Sequence, residues 1–215
     1  MLYEAVNQPV LSCVPKATKR LLDIGCGSGT LGREIKQQMS CEVVGITYSD
    51  AEADIASQHL DKVLTYDLNN FNPIDLGKFD CIICSHILEH LYQPQQLLDR
   101  LHGNLTHDGH LIVALPNTLQ WRQRWEFVKG NFKYADGGAM DRTHFRFFDW
   151  ETALTLVTDS GYTILSRSAD GYFPLPVIRK IMQPVAAQLD RLATQALPGL
   201  FGCQFIIVAQ SRSHT

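Results

Sequence analysis

The sequence lacks the features that mark several classes of protein. Its 19 lysines and arginines do not outnumber its 22 acidic residues, and a formal charge of −3 gives no overall electrostatic footprint for nucleic acid. No apolar run approaches the length of a membrane span, and the first residues lack a basic segment followed by an apolar one. We therefore expect a cytoplasmic protein without a transmembrane segment, for which nucleic acid is not the expected partner.

Cysteine is also sparse. The six cysteines lack the dense spacing of a secreted disulfide scaffold, which predicts free thiols. Cys81 and Cys84 form a CxxC pair, but the surrounding apolar run indicates a buried strand, which would point the two side chains to opposite faces. Because no second cysteine pair completes a zinc site, we expect no metal site.

The chain does contain an alternation of short β-rich runs with segments of helical composition. Seven runs predict strands: RLLDI, EVVGI, KVLTY, FDCIIC, HLIVAL, YTILS and QFIIVA. With 215 residues, 45% of them hydrophobic, the chain can bury one substantial core. The pattern favours a single α/β domain over residues 1–215, with a parallel sheet covered by helices on both faces.

Two long segments interrupt this alternation, at about residues 116–148 and 170–198, and such long segments are more often functional than idle. Apolar residues of the second fall near helical spacing: Ile178, Ile181, Met182, Val185, Leu189 and Leu192. They predict an amphipathic helix, broken near Pro184. Such a stripe most commonly packs on its own domain, and a homodimer contact or docking on a membrane surface comes next.

The run LLDIGCGSGT passes from a predicted strand into glycines at alternating positions. Gly25, Gly27 and Gly29 permit a tight turn and let another molecule approach the backbone closely. A tight turn without a ligand is the alternative. The carboxylate of Asp23 narrows the choice of cofactor, because an acid next to this loop disfavours a phosphate and favours an ammonium or sulfonium cation.

LLDIGCGSG resembles the first motif of the class I methyltransferases that use S-adenosylmethionine. FDCIICSHILEHL resembles the fourth-strand motif of that family, and LHGNLTHDGHLIVALPN resembles the helix, turn and fifth strand that follow. The resemblance covers nearly the whole chain in order. It implies a Rossmann-like doubly wound sheet of seven strands, mostly parallel with an antiparallel last strand, and S-adenosylmethionine as the cofactor.

The resemblance also implies a set of cofactor-binding residues: Asp23, Gly25, Cys26, Gly27, Gly29, Thr47, Tyr48, Asp67, Leu68, Ser85 and His86. The glycine loop and its acid would line the amino-acid end of the cofactor. The residues after the fourth strand would pass beneath the methionine portion. Asp67 would lie near the adenine amino group, with Leu68 beside the ring.

One position departs from the family pattern. The second strand usually ends in an acid for the ribose hydroxyls, whereas VVGITYSD has Thr47 there, followed by Tyr48, which could cover the adenine. A neutral partner should hold the ribose less strongly than a charged one. The departure leaves open a second function, a regulatory or scaffold protein that binds S-adenosylmethionine without transferring its methyl group. An oxidoreductase is a weaker third option.

A narrower likeness covers the following segment. GNFKYADGGAMDRTHFRFFDWETALTLVTDSGYTI resembles a branch of these enzymes found with glycan and cell-surface biosynthesis, and LPNTLQWRQRWEFVKGNF is similar to methyltransferase-like proteins associated with methionine biosynthesis. The likeness implies a small or glycan-related acceptor. The alternative is a packed connector with Phe145, Phe147 and Trp150 in the core and Asp141 or Asp149 capping a helix.

We expect residues 116–148 to form a lid over the acceptor. Six basic and three acidic residues between Asn117 and Phe148 suit an anionic acceptor, although a solvated helix face with i,i+4 pairs is the alternative. The predicted acceptor-binding residues are Trp121, Arg142, His144 and Arg146. His144 and His90 are the predicted proton acceptors, because histidine titrates near neutral pH. Close alignment of the two reactants could also suffice without a base.

Overall fold

Seven strands form one sheet in the computed structural model, which describes residues 6–70 and 76–212. The strands are β1 Arg20–Ile24, β2 Glu42–Thr47, β3 Lys62–Thr65, β4 Phe79–Ser85, β5 Leu105–Pro116, β6 Tyr162–Gly171 and β7 Gly202–Ser211. Their order across the sheet is β3-β2-β1-β4-β5-β7-β6. Strands β1 to β5 pair in parallel, and β7 runs antiparallel between β5 and β6. The predicted fold class is confirmed.

Helices cover both faces of the sheet. Those in the described residues are α1 Gln8–Cys13, α2 Thr30–Gln38, α3 Asp50–Ala56, α4 Pro94–Leu101, α5 Trp121–Val128, α6 Trp150–Asp159, α7 Pro176–Ile181, α8 Gln183–Ala196 and α9 Pro198–Phe201. Helices α4 and α6 pack on the face that carries Leu22, whereas α1, α2 and α3 pack on the face that carries Leu21. Successive strand residues point to opposite faces, so adjacent leucines enter separate cores.

The cysteines follow the same rule. All six are free. Cys81 and Cys84 are fully buried and lie in the two separate cores, as the strand pattern predicts.

Strand β5 begins earlier than the run HLIVAL predicts. Leu105 already pairs with Phe79, and the register then shifts so that His110 pairs with Cys81. The sequence THDG, expected to form a turn, is therefore an irregularity within the strand. Gly109 permits the close approach there, because a Cβ would lie 2.9 Å from a Leu105 side-chain carbon and 3.0 Å from the Phe79 carbonyl oxygen.

Backbone hydrogen bonds hold the two ends of the segment 116–148 next to each other. Asn117 and Phe148 form an isolated parallel bridge, and the Thr118 amide donates to the Phe148 carbonyl at 3.0 Å. The buried Asn117 side chain also donates to the carbonyls of Gly199 and Gly202, at 3.0 and 2.8 Å. Between these anchors the chain forms α5 and then an irregular stretch that ends at α6.

The second long segment contains two helices, α7 and α8, which are separated at Met182, just ahead of Pro184. Proline is tolerated in the first turn of a helix but not in its interior, which explains this position of the break. Four of the predicted stripe residues are exposed rather than packed on the domain: Ile181, Met182, Val185 and Leu192. The side chain of Ile178 lies outside the described part of the chain.

The alternative prediction of a packed connector is confirmed for Trp150, which packs partly buried against the core, but it is wrong for two phenylalanines. Phe145 and Phe147 are 50% and 38% exposed, and Phe148 is the phenylalanine that enters the core. Phe145 instead contacts the ring of Tyr92, with 4.4 Å between the ring centroids. Asp149 does cap α6, in a reciprocal capping box with Thr152.

None of the helices in residues 6–70 and 76–212 combines the length and the apolar character needed to cross a lipid bilayer.

Candidate functional site

The glycine loop that follows β1 takes backbone conformations that favour glycine. Gly25, Gly27 and Gly29 have φ angles of +78°, +52° and +77°. The amides of Gly25 and Cys26 both donate to the carbonyl of Ile46, at 2.8 and 2.9 Å, which ties the loop to β2. The space beside Gly27 is open, since a Cβ there would have one neighbour within 4 Å, a carboxylate oxygen at 4.0 Å. A ligand can therefore approach the loop backbone.

Asp23 lies under this loop, near the end of β1, and its side chain is almost wholly buried. Its Oδ2 atom has no hydrogen-bond partner among the described residues. Burial raises the pKa of Asp23 to about 7, because the charged form loses its hydration. An ammonium group beside Asp23 would satisfy the unpaired oxygen and stabilise the charged form, so the site fits the amino-acid end of S-adenosylmethionine.

The carboxylate beside Gly27 belongs to Glu52, which the sequence analysis did not identify. Glu52 lies in the first turn of α3, and its Oε2 accepts a 2.7 Å hydrogen bond from the buried Thr47 hydroxyl. Its Oε1 is the atom nearest to Gly27. A carboxylate is thus present at the end of β2, although it is supplied by the helix that follows the strand. Gly45 makes room for the loop, because a Cβ there would lie 2.6 Å from the sulfur of Cys26.

The residues predicted to contact the adenine lie after the ends of β2 and β3. Tyr48 is 77% exposed, and Leu68 packs partly buried against the core. The two oxygens of Asp67 accept from the Asn69 amide at 2.9 Å and from the Asn70 side chain at 2.7 Å. Asp67 therefore stabilises its own turn, and each of its oxygens keeps a second lone pair for a ligand.

Ser85 and His86 follow β4, the neighbour of β1, and belong to a polar network. Ser85 accepts a 3.3 Å hydrogen bond from Asn7, and Nε2 of His86 lies 2.9 Å from Oε1 of Gln204. Nδ1 of His86 lies 3.3 Å from Oε1 of Glu89. Burial lowers the pKa of His86, but the hydrogen bond and the charge of Glu89 outweigh this effect, so the pKa lies above its ordinary value. Neither Asn7 nor Gln204 has a local sequence signal, because their roles depend on contacts between distant segments.

The two predicted proton acceptors lie side by side. The rings of His90 and His144 meet edge to face, with 4.6 Å between their centroids. They come together because the backbone carbonyl of Glu89 accepts from the amides of Phe145 and Arg146, at 2.9 and 3.1 Å. Burial lowers the pKa of His144 below its ordinary value, although the nearby Glu89 carboxylate acts in the opposite direction. The lowered pKa favours the neutral form of the His144 ring.

The other predicted acceptor residues have different neighbours. The guanidinium of Arg146 donates twice to the carbonyl of Tyr92, at 3.1 and 2.6 Å. Arg142 forms an exposed 2.8 Å ion pair with Asp136. Trp121 lies 6.4 Å from Tyr172, measured between ring centroids, and its indole nitrogen is buried without a partner among the described residues. The ion pair with Asp136 offsets the charge of Arg142, whereas Arg146 keeps its positive charge because its partner is a neutral carbonyl.

A family model described as a methyltransferase domain matches residues 3–167 of the chain. The mitochondrial ubiquinone biosynthesis O-methyltransferase of Schizosaccharomyces pombe is 31% identical over 103 residues, which are 45% of this chain and 37% of that protein. The chain spans less than half the length of the curated relatives it matches.

Two solved structures show the same fold at low sequence identity. An S-adenosylmethionine-dependent methyltransferase from Mesorhizobium loti has a TM-score of 0.62 and 20% identity, covering 97% of this chain and 99% of that one. A Thermotoga maritima methyltransferase, titled a possible histamine N-methyltransferase, has a TM-score of 0.64 and 17% identity, covering 95% and 87%. The family match confirms the predicted enzyme class, a methyltransferase, and the two solved structures confirm the fold.

Proposed function

We propose that this chain, which belongs to the family of methyltransferase domains, transfers a methyl group from S-adenosylmethionine to a small, anionic acceptor. The observation that carries the proposal is the buried Asp23 carboxylate beside an open glycine loop. When bound, the cofactor supplies an electrophilic methyl group on a sulfonium. The task of the chain is to hold that group in line with the acceptor and to exclude water.

Glu52 completes the cofactor site in this proposal. Its carboxylate lies next to Gly27 and is fixed by the hydrogen bond from Thr47. A carboxylate can accept hydrogen bonds from ribose hydroxyls more strongly than a neutral threonine can. Glu52 thereby takes the role that an acid at the end of β2 would have, and it removes the main reason to infer a non-catalytic protein.

We place the acceptor beside His90 and His144, after β4 and beneath the segment 116–148. In open α/β sheets, ligands bind at the carboxyl ends of the strands, and both histidines lie there. The segment above them exposes Trp125, Phe132 and Tyr134, which could close over a substrate and exclude water. A neutral imidazole can accept the proton that an O–H or N–H acceptor loses.

The acceptor class follows from the surroundings of this pair and from the relatives. The curated relative from Schizosaccharomyces pombe is named an O-methyltransferase, which supports an oxygen acceptor. The basic residues of the lid support an anionic molecule, such as a carboxylate, a phosphate or a nucleotide-linked sugar. A glycan-related acceptor is a further candidate, and it is supported only by the likeness of the segment that contains DRTHFRFF.

Calorimetric titration with S-adenosylmethionine and with its demethylated product tests the first half of the proposal. We expect both to bind the folded chain. Absence of binding would contradict the proposal, and tight binding of NAD instead would support an oxidoreductase. Turnover is then measured on a panel of hydroxy-aromatics, carboxylates, phosphates, amines and nucleotide-linked sugars. Binding without turnover across that panel would favour the regulatory or scaffold function.

A homodimer is the partner that we propose for the exposed stripe on α7 and α8. Ile181 is 76% exposed and Leu192 is 51% exposed, and Met182 and Val185 of the same stripe are also exposed. Several exposed apolar side chains on one stripe favour an interaction site more than isolated ones would. Light scattering coupled to size exclusion measures the mass directly. A monomeric mass at high protein concentration would contradict this proposal.

A further inference from the structure

The short helical turn Leu88–His90 and the segment that reaches it bring three metal-ligating side chains together. The ligand atoms of Glu89, His90 and His144 all lie within 4.8 Å of one another. The prediction of no metal site came from cysteine spacing, which gives no information about a set of two imidazoles and one carboxylate. The amides of Phe145 and Arg146 donate to the Glu89 carbonyl, which brings His144 close to the other two residues.

Two atoms of this cluster are buried without a partner among the described residues. They are Oε2 of Glu89, whose residue is 1% exposed, and Nδ1 of His144, whose residue is 9% exposed. An unpaired buried carboxylate oxygen is costly, and native structures satisfy almost all such groups with protein, water or an ion. Oε1 of Glu89 already has His86 as its partner, so Oε2 is the oxygen left for a ligand.

The tautomer of His90 is fixed by its neighbours. Nδ1 of His90 lies 3.2 Å from the Thr143 carbonyl oxygen, which can only accept, so Nδ1 carries the proton. The Thr143 hydroxyl donates to Asp141 at 2.6 Å, and its oxygen also faces Nδ1 of His90, at 3.1 Å. The lone pair of His90 is therefore on Nε2. Outer groups that hold one imidazole nitrogen while the other stays unprotonated are typical of histidine ligands to metals.

We propose that Glu89, His90 and His144 hold one divalent transition-metal cation of the kind that imidazole ligands favour, such as Zn²⁺. Two imidazoles favour such a cation over magnesium or calcium, which prefer oxygen ligands. Bonds of about 2.1 Å require the three ligand atoms to draw closer together than in the metal-free arrangement. Three protein ligands leave coordination positions open for water or for a substrate oxygen.

The location of this cation gives it a role in the proposed reaction, and this role alone depends on the proposed function. The cation would lie where we place the acceptor. An acceptor hydroxyl bound to it would have a lowered pKa and could pass its proton to a water molecule at another open coordination position. With the cation present, the two imidazoles are ligands, and neither takes the proton itself.

The test uses the full chain without a histidine tag, depleted of metal with a chelator that is then removed. Zn²⁺ and Mg²⁺ are titrated separately by calorimetry, and bound metal is counted by atomic emission. We expect one Zn²⁺ per chain and at least 100-fold weaker binding of Mg²⁺. Glu89→Gln and His144→Gln should each weaken Zn²⁺ binding at least 100-fold. Thr143→Val, which removes an outer contact to His90, should weaken it about tenfold.

The matched control is His107→Ala. His107 lies near the start of β5, at the opposite end of the strand from the proposed site, and its side chain is 86% exposed. It should bind Zn²⁺ as the parent does. A parent chain that binds no Zn²⁺ would overturn the proposal, as would unchanged binding in both His144→Gln and Thr143→Val. These two variants decide the matter if Glu89→Gln does not fold.

The same metal-depleted protein is titrated with S-adenosylmethionine. Cofactor binding without Zn²⁺ binding would refute the cation site and leave the proposed function standing. Zn²⁺ binding without cofactor binding would support the cation site and contradict the proposed function.

Discussion

The glycine loop after β1 and the segment 116–148 after β5 both lie at the carboxyl ends of the strands, but different interactions hold them in place. Positive φ angles and two backbone hydrogen bonds to Ile46 fix the loop, and the acid beneath it is buried. The segment 116–148 is anchored at its two ends and at Glu89, whereas Trp125, Phe132 and Tyr134 between those anchors are more than half exposed. The loop is held by its own backbone and by β2, whereas the segment exposes aromatic surface that a ligand could cover.

This difference separates what substitutions should do in the two regions. Changes around the loop should alter cofactor affinity, because its residues are preorganised for one ligand. Changes in the segment should alter turnover where a residue contacts the proposed acceptor, and stability where it binds the backbone, as Arg146 does. A substitution in the segment that weakens cofactor binding, or one around the loop that lowers only turnover, would show that the two regions are not separate in function.

The largest effect is expected for His144→Ala, measured with the acceptor that the panel identifies. Loss of the imidazole should reduce kcat about 100- to 1000-fold, whether it accepts the proton or holds a cation. The dissociation constant for S-adenosylmethionine should change less than twofold, because His144 lies outside the glycine loop. His107→Ala serves as the control for loss of a histidine. Equal losses of cofactor affinity and turnover in His144→Ala would break the separation of the two regions.

Asp23→Asn should give the next largest effect. Removing the charge that faces the ammonium group should weaken S-adenosylmethionine binding about 30- to 100-fold, while the fold tolerates a neutral group of the same shape. Calorimetry on the variant and the parent measures the change. A variant that is folded and binds as tightly as the parent would mean that the loop is not the cofactor site.

The pH dependence of stability and of cofactor affinity in the unsubstituted protein gives a second test of Asp23. The folded-state pKa of about 7 lies above the ordinary value of an aspartate, so the folded state binds the proton more tightly than the unfolded state. The contribution of Asp23 to stability is therefore present at acid pH and is lost as the pH rises toward 7. Cofactor binding needs the ionised form, so affinity should rise about tenfold or more from pH 5.5 to 7.5. Asp23→Asn should show neither trend.

Glu52→Gln should weaken cofactor binding about tenfold, because the charge-assisted acceptor becomes a neutral one. The matched control is Asp54→Asn, an exposed carboxylate on the same helix. Adenosine analogues without ribose hydroxyls should lose affinity for the parent and much less for Glu52→Gln. If the parent and the variant discriminate equally against such analogues, Glu52 does not contact the ribose.

The loop could be predicted from the sequence because its glycines and its acid lie within ten residues. The role of Glu52 could not be predicted in this way. Ser49 and Glu52 match a helix capping box, in which the glutamate side chain would accept from the backbone amide of Ser49. The Ser49 side chain does accept from the Glu52 amide, but the Glu52 carboxylate binds Thr47 instead. Which of the two partners it takes depends on how α3 packs on β2, and no local pattern records that.

For the proposed acceptor site, the sequence could predict candidate residues but not how they lie relative to one another. His90 and His144 were both candidates, yet their contact depends on backbone hydrogen bonds between distant segments. The run FRFF also does not indicate which ring enters the core, and the choice of Phe145 and Phe147 over Phe148 was wrong. Packing of the whole segment decides that choice.

The smallest effect is expected for Arg146→Ala, and it distinguishes an anchor from an acceptor contact. The guanidinium of Arg146 donates to the Tyr92 carbonyl and so fastens the segment to the chain after β4. Its loss should cost about 1 kcal/mol, or roughly 2–4 °C in melting temperature for a chain of this size. Arg142→Ala, which breaks an exposed ion pair, should leave the melting temperature nearly unchanged. If Arg146→Ala melts like the parent while the KM of an anionic acceptor rises several-fold, Arg146 leaves Tyr92 to bind the acceptor, and the segment moves when the substrate arrives.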